Sequence, residues 1–251
     1  MSKIVIGRQF CGPPNSGNGG YVCGVLAKEI DGPATAVLRA PIPLDAELDL
    51  QARDGAQVLL GEGEALIAQG GPASQALPEP PPSPGLEAAR AAAARHIGLT
   101  QTTHPICFTC GTAREEGDGL RVLPGQVAGA EPGLVACNWT PHEAFADAEG
   151  RIGPEIVWAA LDCPGFFAWV EKEGRHGALL GTMTGEILRP VTAGAEYVVL
   201  AWPIAREGRK EIAGTAIYDA DGQLVARSHQ VWITMGPRPA AAAPTTEAAA
   251  T

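Results

Sequence analysis

Residues 154–172, PEIVWAALDCPGFFAWVEK, form an apolar run of helical length with Asp162 set between Ala159-Ala160-Leu161 and Cys163-Pro164-Gly165. Four long segments follow, 178–189 (ALLGTMTGEILR), 196–205 (EYVVLAWPIA), 210–219 (KEIAGTAIYD) and 223–235 (QLVARSHQVWITM). Their alternation and β-branched content predict antiparallel strands. The last two are joined by Asp219-Ala220-Asp221-Gly222, whose Asp-Gly step favours positive φ and predicts a tight hairpin. The same order of elements stands earlier in the chain. There a Gly-containing turn leads into an apolar helix over 19–30 (GGYVCGVLAKEI), followed by strand segments 34–40, 47–52 and 57–69. A local echo supports duplication: Leu38-Arg39-Ala40-Pro41-Ile42 resembles Leu188-Arg189-Pro190-Val191, and each precedes an acid, Glu47 or Glu196, that opens the next strand.

Between the two parts, residues 70–85 (GGPASQALPEPPPSPG) are rich in Pro and small residues, which stiffen the backbone and leave little to bury. The stretch reads as an interdomain linker. Leu86–His96 is Ala-rich and predicts a short helix ending near Gly98. The expected organisation is an N-terminal half over 1–70, a Pro/Ala-rich linker with its helix over 71–99, a C-terminal half over 100–236 and a disordered tail over 237–251.

The 251 residues are 45% hydrophobic, enough for a substantial core, while 32 Gly and 22 Pro indicate β-structure punctuated by turns. A net charge of −10 without any Lys/Arg-rich run argues against nucleic-acid binding. No stretch reaches the ~20 apolar residues of a membrane span. The start, MSKIVIGRQFCG, lacks a signal peptide's hydrophobic region, and six scattered cysteines do not make a disulfide scaffold, so reduced thiols in a cytoplasm are expected. Cys107-Phe-Thr-Cys110 has chelating spacing but lacks a second pair, and it reads as a strand-to-turn segment ending at Gly111. No metal and no cofactor are expected.

One helix wrapped by a long antiparallel sheet, present twice, resembles the hotdog fold in its tandem form, the thioesterase-like double hotdogs. Three motifs carry the resemblance: Asn18-Gly19-Gly20, similar to the His-Gly-Gly step that opens the family's central helix; Trp158–Gly165, similar to its acid-bearing segment; and His104–Gly111 with Gly119-Leu120-Arg121, similar to an opening strand. The family pattern sets the acid about eight residues beyond the first Gly of its His-Gly-Gly step. Counted from Gly19, that position holds Ala27; counted back from Asp162, Gly153-Pro154-Glu155 stands where His-Gly-Gly belongs. Each half thus keeps a different piece. The resemblance therefore implies an α+β double hotdog, two antiparallel sheets each wrapping a helix as an internal pseudo-dimer, with one composite site between the halves. It also implies an acyl-CoA or acyl-carrier thioester substrate, and it leaves room for a homodimer of double hotdogs.

Thioester hydrolysis needs a nucleophile and stabilisation of the carbonyl oxyanion. Backbone amides at a helix N-terminus meet the second need, and Gly19 and Gly20 let a carbonyl approach them closely. Asp162 serves as nucleophile or general base; the competing structural reading is an N-cap for a helix restarting at Pro164. Asn15 and Asn18 are candidates for holding the carbonyl or a water, and also for turn formation. His142 and His229 are isolated in sequence. Two other readings compete with hydrolysis: a non-catalytic acyl-CoA-binding protein, and an enoyl-CoA hydratase or dehydratase, whose Asp/His motif is not found.

Overall fold

A computed structural model describes residues 2–101, 104–174 and 177–236; the tail expected to be disordered, 237–251, lies outside the described residues. In chain order the strands are β1 (Ser2–Val5), β2 (Ala34–Leu38), β3 (Glu47–Arg53), β4 (Ala56–Leu60), β5 (Leu66–Pro72), β6 (Gly125–Gln126), β7 (Val135–Trp139), β8 (Gly177–Ile187), β9 (Tyr197–Glu207), β10 (Lys210–Asp219) and β11 (Leu224–Met235). The helices are α1 (Gly19–Ala27), α2 (Leu86–Ala93) and α3 (Pro154–Glu173). The predicted β10–β11 hairpin forms, with Gly222 at φ 76° and the Asp219 amide bonded to the Gln223 carbonyl at 3.0 Å.

Three sequence expectations are corrected. The two separate sheets are one 11-stranded sheet, ordered β1-β3-β4-β5-β2-β8-β11-β10-β9-β7-β6. The reason is that β2 and β8 pair edge to edge, Ala34 to Val37 against Gly185 to Thr182, with the Thr35 and Thr184 hydroxyls 2.9 Å apart. The segment 57–69 is two strands, because the left-handed backbone of Gly63 and Glu64 turns the chain between β4 and β5. Residues 104–111 form turns rather than an opening strand. The Pro-rich stretch lies against the C-terminal strands: the Tyr218 hydroxyl donates to the Pro81 carbonyl at 2.5 Å, and Arg227 pairs with Glu79 at 3.0 Å. Behind it, Ala89 and Ala92 of α2 pack on Ala136, Val198, Leu200 and Ala216.

Several backbone hydrogen bonds recur at corresponding places early and late in the chain. The Phe10 amide bonds to the Gly7 carbonyl and Phe145 to His142; Cys11 bonds to Arg8 and Ala146 to Glu143; Gly17 bonds to Ile42 and Ile152 to Val191. The Asp45 amide reaches the Ile6 carbonyl as Gly194 reaches Pro141, and Arg39 with Ala40 share the Ile67 carbonyl as Leu188 with Arg189 share that of Val225. Phe10 and Phe145, equivalent in this scheme, both meet Phe108 edge-on, at 5.0 and 5.5 Å between ring centroids. Continued into the helices, the correspondence pairs Gly19 with Pro154 and Ala27 with Asp162, the pairs expected from spacing.

The two central helices touch without intervening side chains on one side. A Cβ on Gly20 would lie 2.5 Å from Asp162 Cβ and 2.6 Å from the Trp158 carbonyl, and one on Gly24 would lie 2.5 Å from Glu155 Cα and 2.9 Å from Trp158 Cβ. Four residues apart, these glycines share one helical face. Around the contact the main core gathers Val22, Leu26, Met183, Ile217 and Trp232. No described helix is long and apolar enough to cross a membrane.

Gly24→Ala should therefore destabilise the fold by about 1–3 kcal/mol through overpacking, although alanine is the better helix former by roughly 1 kcal/mol. Gly71→Ala, whose Cβ would find its nearest neighbour at 3.8 Å, should be near neutral. Urea melts of the two variants check this, and equal stability would show that α1 can lift from α3 at no cost.

Candidate active site

Asp162 lies on the face of α3 that meets α1 and is 3% exposed. Its Oδ2 accepts from the Asn18 side-chain amide at 2.8 Å and from the Gly20 backbone amide at 3.0 Å. Its Oδ1 is buried with no hydrogen-bond partner among the described residues. Burial pushes the carboxyl up to about 7, against the downward pull of the Gly20 amide and Asn18. A carboxyl so placed is suited to proton transfer near neutrality. The capping alternative does not hold, because α3 runs unbroken through Pro164. Side-chain donors occupy carbonyls just before the proline: Thr109 Oγ1 bonds to Ala159 at 2.8 Å and Gln230 Nε2 to Leu161 at 2.6 Å.

Asn18 is the N-cap of α1, with Oδ1 accepting from the Tyr21 amide at 2.8 Å. That bond fixes which end of the amide faces Asp162, so Nδ2 donates both to the carboxylate and to Thr109 Oγ1, at 3.2 Å. Gly19 is the first residue of α1, and first-turn amides have no acceptor within their own helix. A Cβ at Gly19 would meet Leu38 Cδ1 at 3.0 Å and Leu180 Cδ2 at 3.1 Å, apolar side chains from the two strands that join the sheet.

The structure thus brings Asn18, Gly19, Gly20 and Asp162 together. Asn15 stands apart, exposed on a turn closed by the Gly12 to Ser16 and Ser16 to Pro13 backbone bonds, and it makes no hydrogen bond to the other four. His142 caps a short 3-10 turn through the Ala144 amide, and His229 is half-buried on β11; neither reaches Asp162. Arg39 and Arg189 are exposed. Sequence reading missed Thr109 and Gln230, whose partners lie on a distant segment of the chain. It also missed Cys163 as a companion of Cys107 and Cys110: the three sulfurs lie within 4.8 Å of one another and are the group that could hold a metal ion among the described residues. A cleft of about 770 Å³ opens elsewhere, lined by Leu120, Arg121, Trp139, His142 and Phe145.

No protein-family model and no curated protein sequence matches the chain. Solved structures do resemble it in three dimensions. A candidate thioesterase from Novosphingobium aromaticivorans DSM 12444 is 13% identical, with a TM-score of 0.64 over 93% of this chain and 95% of that one. A conserved protein of unknown function with a hot dog fold, from Alicyclobacillus acidocaldarius, gives 12% identity and a TM-score of 0.57 over 94% and 93%. The chain has the hotdog fold. A tesB protein of Mycobacterium avium subs paratuberculosis aligns at 12% identity, with a TM-score of 0.55 over 89% of each chain. These likenesses extend over nearly the whole length, so both strand sets of this hotdog sheet take part in them.

Asn18→Ala removes both an N-cap and a donor to a buried carboxylate, and should destabilise by about 2–4 kcal/mol. In an Asp162→Ala background the same change should cost the cap and the bond to Thr109 but not the bond to the carboxylate, about 1–2 kcal/mol. Denaturant melts of the four proteins measure the coupling, and strict additivity would mean that the 2.8 Å bond contributes nothing.

Proposed function

We propose that the chain is a double hotdog that hydrolyses acyl thioesters, with acyl-CoA as the substrate class. Its site is composite, formed where Asp162 of the C-terminal half (100–236) meets the Asn18-Gly19-Gly20 turn of the N-terminal half (1–70), the residues between serving as the connection. The repeated hydrogen bonds support the tandem organisation. The observation that carries the activity is the carboxylate itself: one oxygen is fixed by Asn18 and Gly20 across the helix contact, and the other has no partner among the described residues.

The Gly20 amide already serves Asp162, so within this reading the oxyanion falls to the Gly19 amide, at the positive end of α1. With the thioester carbonyl held there, Asp162 Oδ1 takes a proton from a water whose oxygen adds to the carbonyl carbon. The tetrahedral intermediate then collapses, the carbon–sulfur bond breaks, and the departing thiolate leaves as the thiol with the proton that Asp162 had taken. Direct attack by Oδ1, which breaks the carbon–sulfur bond and expels the thiolate to give a mixed anhydride that water then hydrolyses back to the free Asp162 carboxyl and the acid, uses the same geometry. Leu38 and Leu180 beside Gly19 suit an apolar acyl chain.

An acyl-CoA panel with a thiol-detecting dye tests the assignment. Asp162→Asn should lower turnover by about 10³-fold or more, since it keeps the shape and removes the base. It should also raise the melting temperature, because a buried carboxylate with one unpartnered oxygen is replaced by a neutral group. Undiminished turnover overturns the mechanism. Thermal stabilisation of the wild type by acyl-CoA with no thiol release would reassign the site to binding alone.

A further inference from the structure

The turn that supplies Thr109 also supplies two thiols, and α3 supplies a third next to Asp162. Cys107, Cys110 and Cys163 hold their sulfurs within 4.8 Å of one another, and the Cys107 and Cys163 sulfurs are 3.7 Å apart. Zinc–thiolate bonds of about 2.3 Å at tetrahedral angles place two sulfur ligands about 3.8 Å apart. The observed spacing matches such an edge. Cys107 and Cys163 are buried and Cys110 is half-buried, against Phe166, Phe167 and Ile97, and no cysteine of the chain is in a disulfide.

The turn itself is shaped to present the pair. The Gly111 amide bonds to the Cys107 carbonyl at 2.8 Å, and a Cβ at Gly111 would lie 2.4 Å from that oxygen and 2.7 Å from the Pro105 carbonyl. Only glycine lets the backbone fold so tightly behind the second thiol. Nothing in the hydrolysis described above uses these sulfurs.

We propose that Cys107, Cys110 and Cys163 bind one thiophilic divalent cation, of which zinc is the type, as a clamp between the turn at 104–111 and α3. Three soft ligands favour zinc over the oxygen-seeking magnesium and calcium, and a fourth position remains for water or an external ligand. Asp162 is outside the ligand set: its Oδ2 is held by Asn18 and Gly20, and the clustered donor atoms are those of the three cysteines. The clamp fixes Thr109, whose hydroxyl receives the Asn18 amide and bonds to Ala159. It acts on the site by positioning it.

The full chain, reduced and stripped with chelator under anaerobic conditions, is titrated with Zn²⁺ and separately with Co²⁺. One metal per chain by mass spectrometry of the elements is expected, with a near-ultraviolet thiolate-to-cobalt band and a rise in melting temperature on adding Zn²⁺. Cys163→Ser and Cys110→Ser should each abolish the cobalt band and weaken zinc binding at least tenfold, whereas Cys137→Ser, buried in a different part of the core, should leave both intact. Less than about 0.2 metal per chain in the reduced, folded wild type overturns the proposal, and that measurement needs no variant to fold. Metal uptake unchanged by Cys163→Ser, or a Cys107–Cys163 disulfide formed in air by a protein that takes up no metal when reduced, also overturns it. Zinc uptake without thioester hydrolysis would leave the clamp standing and remove only the proposed activity.

Discussion

The structure depends on two helices approaching to backbone contact. Gly20 and Gly24 leave α1 without side chains along one line, and Trp158, Glu155 and Asp162 of α3 fill that line. Dispersion contacts fall off steeply with separation, so this closeness is itself stabilising. It also sets the rest of the architecture. α1 packs beneath β2 and β5, and α3 beneath β9 and β10, so drawing the helices together brings the free edges of β2 and β8 to hydrogen-bonding distance. Eleven strands then form one sheet among the described residues, and both helices share one core.

A carboxylate inside that contact would be costly if it had no donors. Here the same glycine that permits the approach also supplies one of them, since the Gly20 amide can reach Asp162 Oδ2 only when nothing projects from its Cα. Asn18 supplies the other while capping α1, and Thr109 ties Asn18 back to α3. Helix start, helix contact and ionisable group are therefore one hydrogen-bonded unit. A change at any of these residues disturbs the hydrogen bonds of the others.

Much of this was legible in the sequence, for identifiable reasons. The long strands β8 to β11 and the helix α3 announce themselves by alternation and by a sustained apolar run, and the β10–β11 turn by its Asp-Gly step. Asp162 stands out because its neighbours are apolar. What escaped is what depends on distant partners. Strands β1, β6 and β7 are short or flanked by Gly and Pro, and their pairing is decided by neighbours elsewhere in the sheet. The edge-to-edge junction at β2 and β8 has no local signature. Thr109 and Cys163 acquire meaning only when the turn at 104–111 meets α3, and Asn15, attractive beside Asn18 in the sequence, is carried to the surface by a turn that closes on itself.

The repeated hydrogen bonds bear on why the proposed site would be single. Two equivalent helices could in principle build two equivalent sites, each pairing the N-terminus of one helix with an acid of the other. The correspondence of hydrogen bonds sets Gly19 against Pro154 and Ala27 against Asp162. Both losses fall on the same side. Proline has no amide hydrogen, so the first residue of α3 has nothing to donate to an oxyanion, and alanine offers no carboxylate opposite it. What remains there is suited to stability instead: Pro154 is preorganised for the first turn of a helix, and Glu155 packs its backbone against Gly24. The other side keeps the open Gly19 amide and the acid together. Under the proposed function, the pieces kept in the two parts of the chain therefore amount to one whole site and one structural contact.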